Sequence, residues 1–515
     1  MPQKTSGPWL PWLAVLLLAV PAGPAALAAV TPSRPNILFI VADDLTLTAL
    51  SCYGNALART PNIDRLAAAG TRFTRAYCNA TYCGPSRASF MTGYYPHATG
   101  VLGYASPRRE LGARATWSQH FMQAGYRAAR VSKIYHMGVP GDIEENGGRD
   151  HNGADDVASW HERYNSPGPE WRARGRGETL ENNPDGTKPV VGGNTFVVVE
   201  AEGDDSTHSD GKTAAKAVEL IERFGRARQS APRALAQPFF LAVGFVRPHV
   251  PFVAPAKYFE PFLPYDRLPL PPKRPDAWRD IPKAGINYKT SENMKMDLRR
   301  QQKAVGGYYA SVAFMDAQVG KVLDALKTAG LERETIVIFT SDHGYHLGEH
   351  DFWAKVSLRE ESAQVPLIIR VPGRPAAVCP SLVELIDLFP TTARLCGLEV
   401  PARIQGRDIS RMLDDPRHTV RDTAFCVAPM REGFLLRDDR WAFIQYAEDA
   451  AQGVELYDLT ADPKQDVNLA VKPEFAEVVR RFKGQVAATL QSVRRNDLGL
   501  TYPPSTPKRA KKPPN

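Results

Sequence analysis

The sequence predicts an α/β fold, a mostly parallel central sheet flanked by helices, followed by a smaller C-terminal α+β part. Three observations predict it. Short apolar, β-branched runs recur along the chain, separated by helix-length amphipathic segments. Four of those runs end in the same kind of polar residue. Beyond about residue 405 the alternation gives way to a hairpin pattern and one amphipathic helix.

Taken in order, residues 1–28 hold a lone Lys4, the apolar run "WLPWLAVLLLAV" and the small-residue end Ala26-Leu27-Ala28. That is the pattern of a secretory signal peptide, too short and wrongly flanked for a membrane span. No other stretch is long and apolar enough to cross a bilayer, so the mature chain is expected to be secreted or periplasmic. The catalytic part should cover about residues 30–405. In residues 406–500, "GFLLRDDRWAFIQY" reads as a hairpin around Asp438-Asp439 and "EFAEVVRRFKGQVAATLQSV" as a helix packed on it. Residues 501–515 read as a basic, proline-rich disordered tail. Two long stretches rich in Gly, Pro and charge, about 138–208 and 250–302, interrupt the alternation and are expected to wall the pocket. The net charge is +8, and it falls to +3 once Lys4 and the tail's Lys508, Arg509, Lys511 and Lys512 are set aside. A body so weakly basic permits an acidic substrate, and no nucleic-acid partner is expected.

The strand ends carry the chemistry. "NILFIVA" is followed by Asp43 and Asp44, "YRAARV" by Ser132, Lys133 and then His136, "FFLAVGF" by Arg247 and His249, and "TIVIFT" by Ser341, Asp342 and His343. Ligands of open α/β sheets bind beyond the carboxyl ends of the strands. Singly, an acidic pair caps a helix and a histidine packs; it is the agreement of four strand ends that points to a site. Asp43, Asp44 and Asp342 suit a hard cation, Ca²⁺ or Mg²⁺. With Lys133, His136, His249 and Arg87 around them, they describe a site for a phosphate or sulfate ester. "PSRASFMTG" starts a helix with Pro85 in its first turn, so backbone N–H groups near Cys83 face the same anion. Two other motifs are decoys. "HLGEH" (346–350) needs a helix to bind zinc and has Gly348 in its middle; "GKT" at Gly211 lacks the earlier glycine of a phosphate loop, since Ser206 stands there, and reads as a helix start.

Cys83 lies in "YCGPSRASFMTG", one of six cysteines with Cys52, Cys78, Cys379, Cys396 and Cys426. In an exported chain it is a disulfide half, with Cys78 or Cys52, a thiol nucleophile, or the precursor of another group.

On "CGPSR" at 83–87, the sequence resembles the type I, formylglycine-dependent sulfatases of the alkaline-phosphatase-like superfamily. It is most similar to their iduronate 2-sulfatase branch through "RPNILFIVADDL", "TPNIDRLAAAGTRF", "FLAVGFVRPHVPF", "YYASVAFMDAQVG" and "TSDHGYHLGEHDFWAK". The resemblance implies that a maturase oxidises Cys83 to formylglycine (3-oxoalanine) during export. It implies that Asp43, Asp44, Asp342 and His343 hold one Ca²⁺ together with residue 83, that Arg87 stabilises the formylglycine hydrate, and that Lys133, His249 and Lys355 grip the sulfate. Lys355 enters only through "HDFWAK". In the implied mechanism one hydroxyl of the hydrate attacks sulfur, His249 or Lys355 protonates the departing alcohol, and His136 takes the proton of the second hydroxyl so that sulfate is expelled. Two positions depart from the wider pattern: Ser132 stands where glycine is usual, and His343 where many sulfatases have asparagine. The function expected is hydrolysis of a sulfate ester on a sugar of a sulfated polysaccharide or glycosaminoglycan. The alternatives are a phosphate or phosphonate ester hydrolase of the same superfamily, and a catalytically silent polyanion-binding protein, against which stands the filling of every catalytic position.

Overall fold

The structure, a computed structural model, describes Gly7 and residues 34–500 except 138–152, 184, 192–193, 231–236 and 274–277. The signal peptide and the basic tail read from the sequence lie outside these, Gly7 apart. No helix of the described residues is long and apolar enough to cross a membrane.

A nine-stranded sheet organises the larger part of the chain. Its strands are β1 (Asn36–Asp43), β2 (Thr71–Tyr77), β3 (Arg127–Ser132), β4 (Glu162–Tyr164), β5 (Phe239–Pro248), β6 (Thr335–Ser341), β7 (Gln364–Arg370), β8 (Ala377–Cys379) and β9 (Val383–Glu384). They run in the order β8-β2-β7-β6-β1-β5-β3-β4, with β9 also paired to β2. All pairings are parallel except those of β7, which lies antiparallel between β2 and β6. The four strands whose ends carry the acids, lysine and histidines are thus consecutive and parallel in the middle of the sheet: β6, β1, β5, β3.

These strands are apolar throughout because both faces are covered. Leu38, Ile40 and Ala42 of β1 pack on one side with Ala217, Leu220 and Ile221 of helix α2 (Ser209–Gln229) and with Val312, Met315 and Val319 of α3 (Leu298–Thr328). Ile37, Phe39 and Val41 pack on the other with Phe90 and Met91 of α1 (Cys83–Thr92), Trp117, Phe121 and Leu388. "GKT" lies inside α2, which begins earlier, at Ser209. Asp316, buried in α3, accepts from the N–H groups of Asn62 and Ile63 (3.2 and 2.8 Å), capping the helix Pro61–Ala67 from outside.

The C-terminal part is a four-stranded antiparallel sheet, β10 (Ala424–Ala428), β11 (Gly433–Arg437), β12 (Trp441–Tyr446) and β13 (Val454–Asp458), with α4 (Ala476–Arg494) on one face. Phe434, Leu436 and Phe443 meet Phe482, Val486 and Leu490 there. The opposite face, through Cys426, Leu435 and Ile444, joins the core of the larger part. β10 also pairs with the approach to α1: Val427 N donates to Asn79 O and Thr81 N to Val427 O (3.1 and 3.0 Å). The two interrupting stretches share a three-stranded sheet, Gly175–Thr179, Val197–Ala201 and Phe252–Pro255.

Candidate active site

The site begins with backbone choices at the strand ends. Side chains alternate along a strand, so the adjacent Asp43 and Asp44 would face opposite ways. Asp44 instead takes φ +63°, and both carboxylates turn to one point. Ser132 (φ +60°) does the same before Lys133, and Ala354 (φ +65°) and Val356 (φ +80°) flank Lys355. Such left-handed non-glycine residues cost about 1 kcal/mol or more each and gather at functional sites. The glycine usual at position 132 supplies that conformation without strain, and Ser132 holds it regardless. Gly244, next to it on β5, is required by a close approach: a Cβ there would lie 2.0 Å from the Lys133 carbonyl oxygen.

Cys83 opens α1, fully buried, after an extended N-cap at Tyr82. Its Sγ lies 3.2 Å from His343 Nε2, 3.2 Å from Lys355 Nζ and 3.8 Å from Asp44 Oδ1. Burial pushes the thiol well above its ordinary pKa despite Lys355, so the cysteine as such is a thiol and a poor nucleophile. It is in no disulfide; all six cysteines are free, and Cys78 lies 3.7 Å, sulfur to sulfur, from Cys426.

Arg87, one helical turn on and fully buried, ties the acids together. Nε donates to Asp342 Oδ2 (2.8 Å), Nη2 to Asp43 Oδ1 (3.1 Å), and Nη1 to the Lys133 and Ile134 carbonyls (2.7 and 3.0 Å). Burial works against its charge, but Asp342 and Asp43 outweigh burial and raise its pKa. Lys133 Nζ is 2.5 Å from Asp43 Oδ2, and Lys355 Nζ is 2.7 and 3.0 Å from the two oxygens of Asp44. Burial likewise opposes the Lys355 charge, yet Asp44, Cys83 and Asp43 hold its proton well above the ordinary range. Asp43 is held well below the carboxylate range, burial notwithstanding, by Lys133, His249, Arg87 and Lys355. Three carboxylates are thus matched by three fixed cations.

The donors fit a divalent cation. Asp44, Cys83 and His343, and again Asp43, Cys83 and Asp342, each present ligand atoms within 4.8 Å of one another, and the two groups share Cys83 in one centre. His343 Nδ1 faces the Gly344 carbonyl at 2.9 Å, which can only accept, and Nε2 turns into the centre, 3.3 Å from Asp44 Oδ1. A divalent ion would add two positive charges to a balanced cluster and make it a site for an anion.

His249 stands at the edge of this cluster, Nδ1 on the Val250 carbonyl and Nε2 3.8 Å from Asp44 Oδ2; burial and then Lys355 keep it neutral. His136 is lowered to about 2 by burial and by Lys133, so it too is neutral, a proton acceptor. Its Nδ1 is buried with no hydrogen-bond partner among the described residues, and its ring stacks on Tyr104 at 3.6 Å, which in turn stacks on Tyr82. All ten site residues read from the sequence therefore gather around Cys83, with His136 outermost. Arg247, at the same strand end, turns away to Glu170 and the Val253 and His249 carbonyls. "HLGEH" is no helix: Gly348 has φ +109° and the segment is a short strand followed by a single 3₁₀ turn.

Sequence reasoning missed the tyrosines. Tyr308 donates to the Asp44 carbonyl (2.6 Å) and accepts from Thr46 N (2.8 Å), which fixes the Asp44 turn. Tyr288 and Tyr345 bring to the same region buried hydroxyls that have no partner among the described residues. Tyr308 stood in the quoted "YYASVAFMDAQVG", on a helix whose apolar period hid it; Tyr288 belongs to a stretch without periodicity. A separate cavity of about 610 Å³, lined by Thr46, Pro271, Glu349 and Glu361 among others, shares none of the ten residues.

The comparisons with known proteins bear on the chain as a whole. The family model described as "Sulfatase" matches residues 35–398, and one described as "N-sulphoglucosamine sulphohydrolase, C-terminal" matches residues 348–492. The chain is 32% identical over 415 residues to an iduronate 2-sulfatase of Homo sapiens, covering 72% of this chain and 70% of that protein. It resembles a solved structure of a protein in complex with its substrate D-glucosamine-2-N,6-O-disulfate, at 22% identity and TM-score 0.67 over 90% of this chain and 99% of that one. It resembles the phosphonate monoester hydrolase of Agrobacterium radiobacter as well, at 22% identity and TM-score 0.70 over 90% and 97%, so the fold alone does not separate sulfate from phosphonate chemistry. The match over most of the larger part of the chain does: this protein belongs to the sulfatase family and is a sulfuric ester hydrolase of alkaline-phosphatase-like fold.

Proposed function

We propose that this chain hydrolyses a sulfate ester on a sugar of a sulfated polysaccharide or glycosaminoglycan, with 2-O-sulfated uronate the first choice. The proposed nucleophile derives from Cys83 by a formylglycine-generating maturase during export, and the proposed ion is one Ca²⁺. The observation that carries the reading is Cys83 at a helix N-terminus, its Sγ within 3.2 Å of Lys355 Nζ and His343 Nε2 and within 3.8 Å of Asp44. The similarity to an iduronate 2-sulfatase supports the choice of sugar.

A formylglycine hydrate at position 83 would supply a nucleophilic hydroxyl and a second hydroxyl for release of sulfate, a pair that neither a thiol nor a serine offers. Asp43, Asp44, Asp342 and His343 would hold Ca²⁺, which would supply a Lewis acid for an anionic ester. The chain's own residues do the rest. Arg87 holds Asp43 and Asp342 in place, Lys133 and Lys355 hold sulfate oxygens, and near-complete burial of both lysines keeps water from screening them. Neutral His136 takes a proton at a ring nitrogen, while Lys355, which keeps its proton, gives one to the departing alcohol and neutral His249 stands beside it.

The test is a panel of defined sulfated mono- and disaccharides beside 4-nitrophenyl sulfate and 4-nitrophenyl phosphate. Sulfate release from at least one sugar is expected. Phosphate release above sulfate release on every substrate would move the reading to the phosphate or phosphonate ester hydrolases, and turnover of none would favour the silent polyanion binder.

A further inference from the structure

Beside the sulfate-binding centre lies a cation with nothing to neutralise it. Arg431 ends the short turn Pro429–Arg431 that follows β10, and it is half-buried. Among the described residues its guanidinium has neither a carboxylate within ion-pair reach nor a hydrogen-bond acceptor. Burial lowers its pKa, and the groups acting against burial are two phenols, Tyr446 and Tyr288. Elsewhere in the same interface arginines are paired: Arg359 with Glu455, Arg421 with Glu384 and Asp387.

Tyr288 reaches the centre from the other side. Asn287 Nδ2 donates to the Trp353 carbonyl (2.8 Å), Trp353 N donates to the Lys289 carbonyl (3.0 Å), and Thr290 bridges Phe352. This antiparallel pairing sets Tyr288 across from Ala354, next to Lys355. Its hydroxyl is buried without a partner among the described residues, and Lys355, Asp44 and Cys83 are the charges and thiol that act on it most. Tyr446 joins the two segments. Its ring lies against Gly433, two residues after Arg431, and its hydroxyl lies 3.0 Å from where a Cβ on Gly285 would stand, three residues before Tyr288. Arg431 and Tyr288 therefore sit on one wall, beside the residues that would hold the sulfate.

We propose that Arg431 and the Tyr288 hydroxyl form a second anion subsite that binds the carboxylate of a sulfated uronate while its sulfate lies at residue 83. The proposal rests on the sulfate-ester reading above and narrows it to sugars carrying both groups. A planar guanidinium fork matches two carboxylate oxygens, and a phenol donates one further bond. A half-buried arginine without a counter-ion gains most from a ligand that brings one.

The experiment compares kcat/KM on a disaccharide ending in 2-O-sulfated uronate with its carboxyl-reduced counterpart, for the full chain and for Arg431→Gln and Tyr288→Phe. The wild type should prefer the carboxylate form, and Arg431→Gln should shrink that preference by about 10- to 100-fold, the range of a charge-assisted hydrogen bond. Tyr288→Phe should shrink it by about 3- to 10-fold, the value of a neutral donor. A wild type indifferent to the carboxylate, or an Arg431→Gln that loses equally on both substrates, overturns the subsite and leaves the sulfatase reading standing. Sulfate released by the wild type from neither sugar nor from 4-nitrophenyl sulfate overturns the parent reading and the subsite with it.

Discussion

Arg87→Met tests whether the guanidinium is the countercharge that lets two carboxylates sit in a dry centre. The substitution keeps most of the side chain's length, so what it removes is charge and donors. Asp342 Oδ2 and Asp43 Oδ1 lose their bonds of 2.8 and 3.1 Å, and the carbonyls of Lys133 and Ile134 lose a shared donor. Asp43 keeps Lys133, and Asp342 keeps the N–H groups of Asp44 and His343. One buried pair is therefore broken outright and one weakened, which costs about 3–5 kcal/mol. An ordered chain of this size unfolds with an entropy of about 1 kcal/mol/K, so the melting temperature should fall by about 3–5 °C. Arg87→Lys should fall part of the way, because one ammonium cannot span both carboxylates. The assay is thermal unfolding in a chelator, so that no metal ion substitutes for the lost charge. A Met variant melting within 1 °C of wild type, taken as about the error of the method, or a Lys variant as stable as wild type, would refute the reasoning.

Three further outcomes are expected. Cys83→Ala should fold with an unchanged melting temperature and lose essentially all turnover, and the wild-type peptide 82–93 should weigh about 18 Da less than its thiol form if it carries the aldehyde; an unmodified thiol in fully active protein would sink the formylglycine reading. Ser132→Gly should raise stability by about 1 kcal/mol by relieving a positive φ, read by denaturant unfolding, and a loss would show that the Ser132 side chain makes up for its strain. Asp316 is pushed up to about 6 by burial, against the donors of Asn62 and Ile63; its protonated form is favoured in the folded state, so its contribution is complete below about pH 4 and lost as pH rises through about 6, at most about 3 kcal/mol, and Asp316→Asn should remove that part of the slope.

What was legible in the sequence was local. The runs before Asp43, Lys133, His249 and Asp342 are β-branched and end in charge, and a parallel sheet carries such ends to one edge whatever order its strands take. What was not legible depends on pairing at a distance. Nothing in "QVPLIIR" marks β7 as the one strand that runs against its neighbours, because strand composition holds no direction. Lys355 has no periodic neighbourhood: it sits between two residues of positive φ, in a segment whose position is set by Asn287, Lys289 and Val356 bonding to parts of the chain far away. Only a resemblance could supply it. Tyr288 and Arg431 had no signal of either kind, one from an interrupting stretch and the other from a turn in the second sheet. The difference has a physical origin. Groups that react must be held by rigid strand ends, which periodicity reveals, whereas groups that choose among substrates stand at the pocket's rim, on irregular segments brought together by tertiary contact alone. A chain can thus disclose its reaction while its substrate stays written in contacts such as that of Tyr446 with Gly285 and Gly433.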